Sequence, residues 1–298
     1  MDKVTETGNS KKILIGKNAI ITGASRGLGE AIAKKFWQEG ANLLIIARSG
    51  ELLQKIKNNL ESANFQDQHV DYIDIDLASV NAIDAIMNKA KKVFERVDIL
   101  VNNAAIQGPI GPIWENDWEE WQMTIRVNLL VPVELSRYCF NWMKNYQKGK
   151  IINISGGGAT GPRPNFSAYA VSKTALVRFT EILASESINY NIQVNAISPG
   201  QMKSDLTRII FNAGPVKAGQ KEFNEAEKVL KEGGVPLNKA VDLAVFLSSD
   251  LSNQITGKLI SAIWDPWEFF HDHTEDLINS DIYALRRIIP KDRGKNWG

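Results

Sequence analysis

Short, almost unbroken apolar runs alternate with longer amphipathic stretches through residues 13–263. The runs are NAIIT (18–22), NLLIIA (42–47), VDYIDID (70–76), VDILVNN (97–103), GKIINIS (149–155), IQVNAIS (192–198) and KLISAI (258–263). A strand with one wet face alternates apolar and polar residues. Continuous runs such as these mark strands covered on both faces, as in parallel sheets. Between them the apolar period becomes helical, as in 28–38, which stops at Gly40, and in VNAIDAIMNKAKKVFERV (80–97). This alternation predicts an α/β fold: a doubly wound parallel sheet of about seven strands in a single domain, with right-handed crossovers. Three stretches stand apart from the pattern. Residues 1–12 are polar and read as a flexible leader. Residues 204–235 read as a mobile helical excursion, and 264–298 as an aromatic and charged C-terminal tail.

Composition narrows the function classes. The 298 residues carry a net charge of +1, with 44% apolar and 23% charged residues. Nothing there favours nucleic acid or a membrane surface as partner. A single cysteine, Cys139, excludes an internal disulfide framework and suits a reducing compartment. No apolar run has the length of a spanning helix, and the leader lacks a signal-peptide core, so a cytoplasmic location is expected.

The first strand runs into TGASRGLG (22–29). Gly23 permits a tight turn, Gly27 lets backbone amides approach a pyrophosphate, and Gly29 lets the next helix sit close to the sheet. The amides and macrodipole of that helix N-terminus favour a phosphate. A nicotinamide cofactor with a free ribose 2′-hydroxyl wants a carboxylate at the end of the second strand. Here that strand ends in Ala47-Arg48, and Arg26 lies within the glycine turn. Two guanidiniums and no carboxylate suit a 2′-phosphate, so NADP(H) is expected over NAD(H).

Tyr169 and Lys173 are four residues apart and share one helical face. Acid/base work near neutrality requires lowering a phenol by about three pH units, or about 4 kcal/mol. An ammonium at ~4 Å in an effective dielectric of about 20 supplies that much.

The ordered set of TGASRGLG, Asp76-Leu77, Asn102-Asn103-Ala104-Ala105, Asn128 in RVNLL, Tyr169-x-x-x-Lys173 and Ser198-Pro199-Gly200 resembles the short-chain dehydrogenase/reductase family over roughly 14–262. The resemblance implies a Rossmann fold and hydride transfer between nicotinamide and an alcohol or carbonyl carbon. It implies cofactor contacts from Gly23, Ser25, Arg26, Gly27, Leu28, Gly29, Arg48, Asp76, Leu77, Asn102 and Ala104. Tyr169, Lys173, Pro199, Gly200, Met202 and Ser204 complete that set. Asp76 and Leu77 would border the adenine, Asn102 would buttress the central strand, and Ser204 would lie near the carboxamide. Lys173 would also hold the nicotinamide ribose, and Asn128 would keep a water in a proton relay.

The family's serine normally precedes the tyrosine by thirteen residues, where this chain has Gly156; Ser155 lies one earlier. Either Gly156–Gly158 bulge so that Ser155 faces the substrate oxygen, or the donor is missing. Ser167 is a fallback. A chain without the donor would be a catalytically weak, cofactor-binding regulatory or scaffold protein. A homo-oligomer, dimer or tetramer, is expected, although SAIWDPWEFF replaces the family's usual C-terminal ending.

Trp114, Trp118 and Trp121 offer a stacking surface or helix packing. Arg163, between two prolines, is a candidate for an anionic substrate group. His271 and His273 have no matching ligand cluster in the sequence, so no metal is expected. Trp264, Trp267, Phe269 and Phe270 are expected to cover the substrate cleft or a neighbouring subunit. The substrate is a small carbonyl or alcohol, with a faint lean toward a polar or anionic one.

Overall fold

In the computed structural model, which describes residues 12–63 and 68–297, each apolar run contributes a strand to one sheet. The strands are β1 (Asn18–Thr22), β2 (Asn42–Ala47), β3 (Val70–Asp74), β4 (Ile99–Asn102), β5 (Gly149–Ile154), β6 (Ile192–Ser198) and β7 (Leu259–Ser261). Their order is β3-β2-β1-β4-β5-β6-β7, and every neighbouring pair is parallel. The order reverses between β1 and β4, the position at which doubly wound sheets open a ligand crevice.

The helices are α1 (Gly27–Gln38), α2 (Gly50–Ser62), α3 (Ala82–Val93), α4 (Trp118–Ile125) and α5 (Val131–Met143). They continue with α6 (Ser167–Glu186), α7 (Asp205–Ala218), α8 (Gln220–Glu232), α9 (Leu237–Ser248) and the short α10 (Thr274–Ile278). Successive strand residues feed opposite cores. Ile21, Ile45 and Val101 pack with α1 and α9, while Ile20, Leu44 and Leu100 pack with α3 and α5. Two covered faces are why the strands read as continuous apolar runs. β3, β4, β5 and β7 are shorter than their runs, and Asp76 falls in the turn after β3.

The 204–235 excursion is helical. It forms α7 and α8, with non-helical Gly214 (φ 74°) ahead of Pro215. Phe211 and Phe223 stack across the pair at 5.1 Å. Phe166, at the start of α6, is buried in a small cluster with Ile210, Ala218 and Ala226. The excursion therefore packs on the loop that leads into α6.

The tail departs from expectation at two of its four aromatics. Trp267 and Phe270 are buried in the domain's own core, against Phe246 (5.9 Å between centroids) and Tyr283 (5.3 Å). Residues three apart on a 3₁₀ turn share one face, so these two go in. Trp264 and Phe269 remain outside, 84% and 60% exposed. None of the four covers the cleft described below. Beyond them, Tyr283 O accepts from Leu259 N (2.8 Å) along the open edge of β7. The expected leader lies outside the described residues, apart from Lys12.

Candidate active site

One cleft of about 1110 Å³ opens over the C-terminal ends of the strands at the β1/β4 reversal. The glycine turn forms its floor at one end. Gly23 (φ +66°) has no room for a side chain, since a Cβ there would stand 2.8 Å from Asn103 Nδ2. A Cβ on Gly29 would stand 2.3 Å from Gly23 O. Around Gly27 nothing lies within 4 Å of that position, so the start of α1 faces open space. Ser25 and Leu28 line the same wall. Free amides at an uncovered helix N-terminus are the chemistry a pyrophosphate needs.

Asn103 holds this turn in place, a role that the sequence pattern did not single out. Its Nδ2 donates to Thr22 O (2.9 Å) and Gly23 O (3.2 Å), and its N donates to Thr22 Oγ1 (3.0 Å). The paired asparagines were the available signal. Asn102 points away instead. It is buried, donates to Asn153 Oδ1 (2.8 Å), and does not line the cleft. Polar pairing within the sheet layer takes its amide out of cofactor reach.

At the end of β2, Arg48 is exposed on the cleft and forms no ion pair among the described residues. Arg26 pairs with Asp205 at the start of α7. Asp76, exposed, and Leu77, buried, border the same end, as does Ala104. Pro199, Gly200, Met202 and Ser204 line the opposite wall. Ser204 caps α7, accepting from Thr207 N (3.3 Å).

Tyr169 and Lys173 come together on the inward face of α6, both buried. Lys173 Nζ donates to Ile154 O (2.8 Å) and lies 5.7 Å from the centroid of the Tyr169 ring. Burial pushes the Lys173 ammonium down to about 8. Burial also raises the Tyr169 phenol above its ordinary value, and the Arg163 charge opposes that rise. Asn128 is fully buried in the π-helical turn Arg126–Leu130. Its amide exchanges bonds with the Ile106 backbone (2.9 Å each way) and donates to Ser172 Oγ (3.2 Å).

Of the two alternatives for Ser155, the bulge does not form. β5 stays in step with β6 through Ile154↔Ile197, and Ser155 N continues the ladder to Ile197 O (2.8 Å). The chain turns only afterwards, with Ala159 N donating to Gly156 O (3.3 Å). Ser155 borders the cleft, but its Oγ is buried with no partner among the described residues. The position opposite the phenol belongs to Gly156, whose Cβ would stand 2.4 Å from Tyr169 Oη. Ser167 is no substitute, because it does not line the cleft; its Oγ accepts from Trp121 Nε1 (3.1 Å).

The outer candidates resolve similarly. Trp118 stacks on Trp121 (5.2 Å), and none of the three tryptophans lines the cleft. Arg163 does line it, but its charge is met by Glu222, so it is not free for an anionic substrate group.

Known proteins place this arrangement in a family. Residues 17–213 match the short chain dehydrogenase model. The chain belongs to the short-chain dehydrogenases. It is 32% identical over 253 residues to 2,3-dihydro-2,3-dihydroxybenzoate dehydrogenase of Bacillus subtilis, covering 81% of this chain and 92% of that one. L-sorbose reductase of Gluconobacter frateurii, solved with NADPH and L-sorbose, superposes with a TM-score of 0.74 at 29% identity, covering 84% of this chain and 96% of that one. An NAD⁺-bound xylitol dehydrogenase superposes at 0.72 with 25% identity, over 83% and 98%. This short-chain dehydrogenase is thus an NAD(P)-binding oxidoreductase acting on alcohol or carbonyl groups. Among its described residues, no helix is long and apolar enough to cross a membrane.

Proposed function

We propose that the protein is an NADP(H)-dependent oxidoreductase of small polyhydroxylated carbonyl or alcohol substrates. The observation that carries this reading is the convergence of buried Tyr169 and Lys173 with the open N-terminus of α1 in one cleft. The cofactor fits the residues present. The amides around Gly27 would take the pyrophosphate, and Arg48 would take a 2′-phosphate with no carboxylate at the end of β2 to oppose it. When bound, the nicotinamide supplies or accepts the hydride.

The chain's own residues handle the proton and the geometry. Tyr169 gives a proton to the substrate oxygen during reduction and takes it back during oxidation. Lys173, pinned by Ile154 O, presents its positive charge along the cleft floor. Asn128 acts as a clasp beneath the cleft, tying the Ile106 backbone, which lines it, to Ser172 on α6. Gln201, bonded to Glu225 (2.8 Å), gives the outer cleft wall a polar character suited to hydroxyls. The sorbose reductase and xylitol dehydrogenase neighbours act on molecules of that kind by their names.

The test is nicotinamide oxidation and reduction by the purified chain against a panel of ketoses and polyols, with both cofactors. Turnover with NADPH in preference to NADH is expected. Arg48→Asp removes a charged hydrogen bond worth roughly 1.5–3 kcal/mol, so the NADP/NAD ratio of kcat/KM falls by about ten- to a hundredfold. An unchanged ratio would remove Arg48 from cofactor choice. Tyr169→Phe lowers kcat by about 10²–10⁴ on whichever substrate turns over.

A further inference from the structure

The three glycines after Ser155 do more than leave out a serine. A Cβ on Gly157 would stand 3.5 Å from both Cζ and Nη1 of Arg163. One on Gly158 would stand 3.1 Å from the Arg163 Cβ and 2.7 Å from that of Ala170. The strip is therefore a bed on which the Arg163 side chain lies. The guanidinium sits 4.1 Å from the centroid of the Phe166 ring and 5.7 Å from that of Tyr169. Glu222 on α8 grips it in fork geometry, accepting from Nε (2.9 Å) and Nη2 (2.7 Å). That leaves Nη1 on the glycine side, beside the residue that faces the Tyr169 hydroxyl.

We propose that Arg163 is a second cation serving Tyr169, bedded on Gly157 and Gly158 and locked by Glu222, and that its charge favours the ionised phenol. The inference rests on Tyr169 being the proton donor and acceptor. Arg163 acts through Tyr169, so it is a positioning residue. The charged groups around the phenol are Lys173 on its own helix, Arg163 from the preceding loop, and Glu222 from α8, which partly offsets the Arg163 charge. Burial raises the phenol and the Arg163 charge is what pulls it back. The device also ties the excursion to the chemistry, because releasing Glu222 would release the guanidinium.

The experiment places a more acidic fluorinated tyrosine at 169 in the full-length protein, with NADP⁺ present, and follows its ionisation by ¹⁹F NMR. With the charge removed in Arg163→Met, the titration midpoint moves up by about one pH unit. Arg163→Lys recovers part of that shift. If Arg163 only held the loop, its loss would let water reach the ring and the midpoint would fall or stay, which overturns the inference. Arg163→Gln keeps a donor for Glu222 without the charge; its midpoint also rises, and it replaces the Met variant should that one not fold. Full turnover in Tyr169→Phe would instead overturn the underlying reading of Tyr169. An unmoved midpoint in Arg163→Met alongside an inactive Tyr169→Phe would overturn only the role of Arg163.

Discussion

Tyr169 Oη occupies the space that a side chain at 156 would need, and the hydroxyl of the preceding Ser155 is buried. Ser155→Ala should therefore leave kcat/KM within about threefold of the parent. Loss of a true oxyanion donor costs about a hundred- to a thousandfold, so steady-state kinetics separate the two cases cleanly. The pairing of Tyr169 with Lys173 was legible because a separation of four fixes a shared helical face whatever the tertiary context. The direction of Ser155 was not. It depends on whether β5 keeps register with β6, and register is decided by long-range pairing that a string of glycines leaves open. Arg163 was legible as an unusual residue between prolines, but its partner Glu222 lies on a helix far along the chain. No local pattern announces a distant carboxylate.

Strands were readable as elements because burial on both faces removes polar residues from them, yet β5 carries a lysine at its second position. Lys150 is 4% exposed, and its Nζ reaches Ser252 Oγ (3.1 Å) and Asn253 Oδ1 (3.0 Å). Burial pushes it down to about 7 from an ordinary 10.5. The unfolded chain then holds this proton more tightly than the folded one. Between about pH 7 and 10.5, stability should therefore rise with pH, by up to about 1.4 kcal/mol per unit from this group. Below that window the penalty is fully present; above it the penalty is gone. Lys150→Met removes the proton and its titration. Denaturant unfolding at pH 7 and pH 9 should show a stability rise in the parent that shrinks in the variant. An equal rise in both would assign the effect to other groups. Element ends were less readable than their interiors, since β3 stops at Asp74 although apolar character continues to Ile75.

At the scale of the molecule, the tail completes the domain rather than decorating it. Trp267, Phe270 and Leu277 belong to the same core as α1 and α9, and Lys258 Nζ is held by the carbonyls of Ser280 and Ile282 (2.9 Å each). The tail also reaches α6, where Leu285 N donates to Glu181 Oε1 (2.6 Å) and Arg178 donates to Leu285 O (2.6 Å). The helix carrying Tyr169 is thus braced from its far end by residues outside the span of the family match. Aromatic density flagged this segment, but a cluster of four aromatics does not reveal which two turn inward until the 3₁₀ phase is known. Truncation after Ile263 should accordingly act on stability first. Emptying sites for two large aromatics costs roughly 3–5 kcal/mol each, comparable to the whole margin of a typical domain. Thermal unfolding should show a large drop in Tm or loss of the cooperative transition, with the strand edge of β7 laid bare to aggregation. Replacing exposed Trp264 and Phe269 together by alanine should leave Tm within a degree or two, because neither side chain gives up buried contacts. A stable, fully active truncated protein would show that the sheet and α9 close the core without the tail. A large loss confined to the Trp264/Phe269 double variant would instead place those two side chains in an interface between chains.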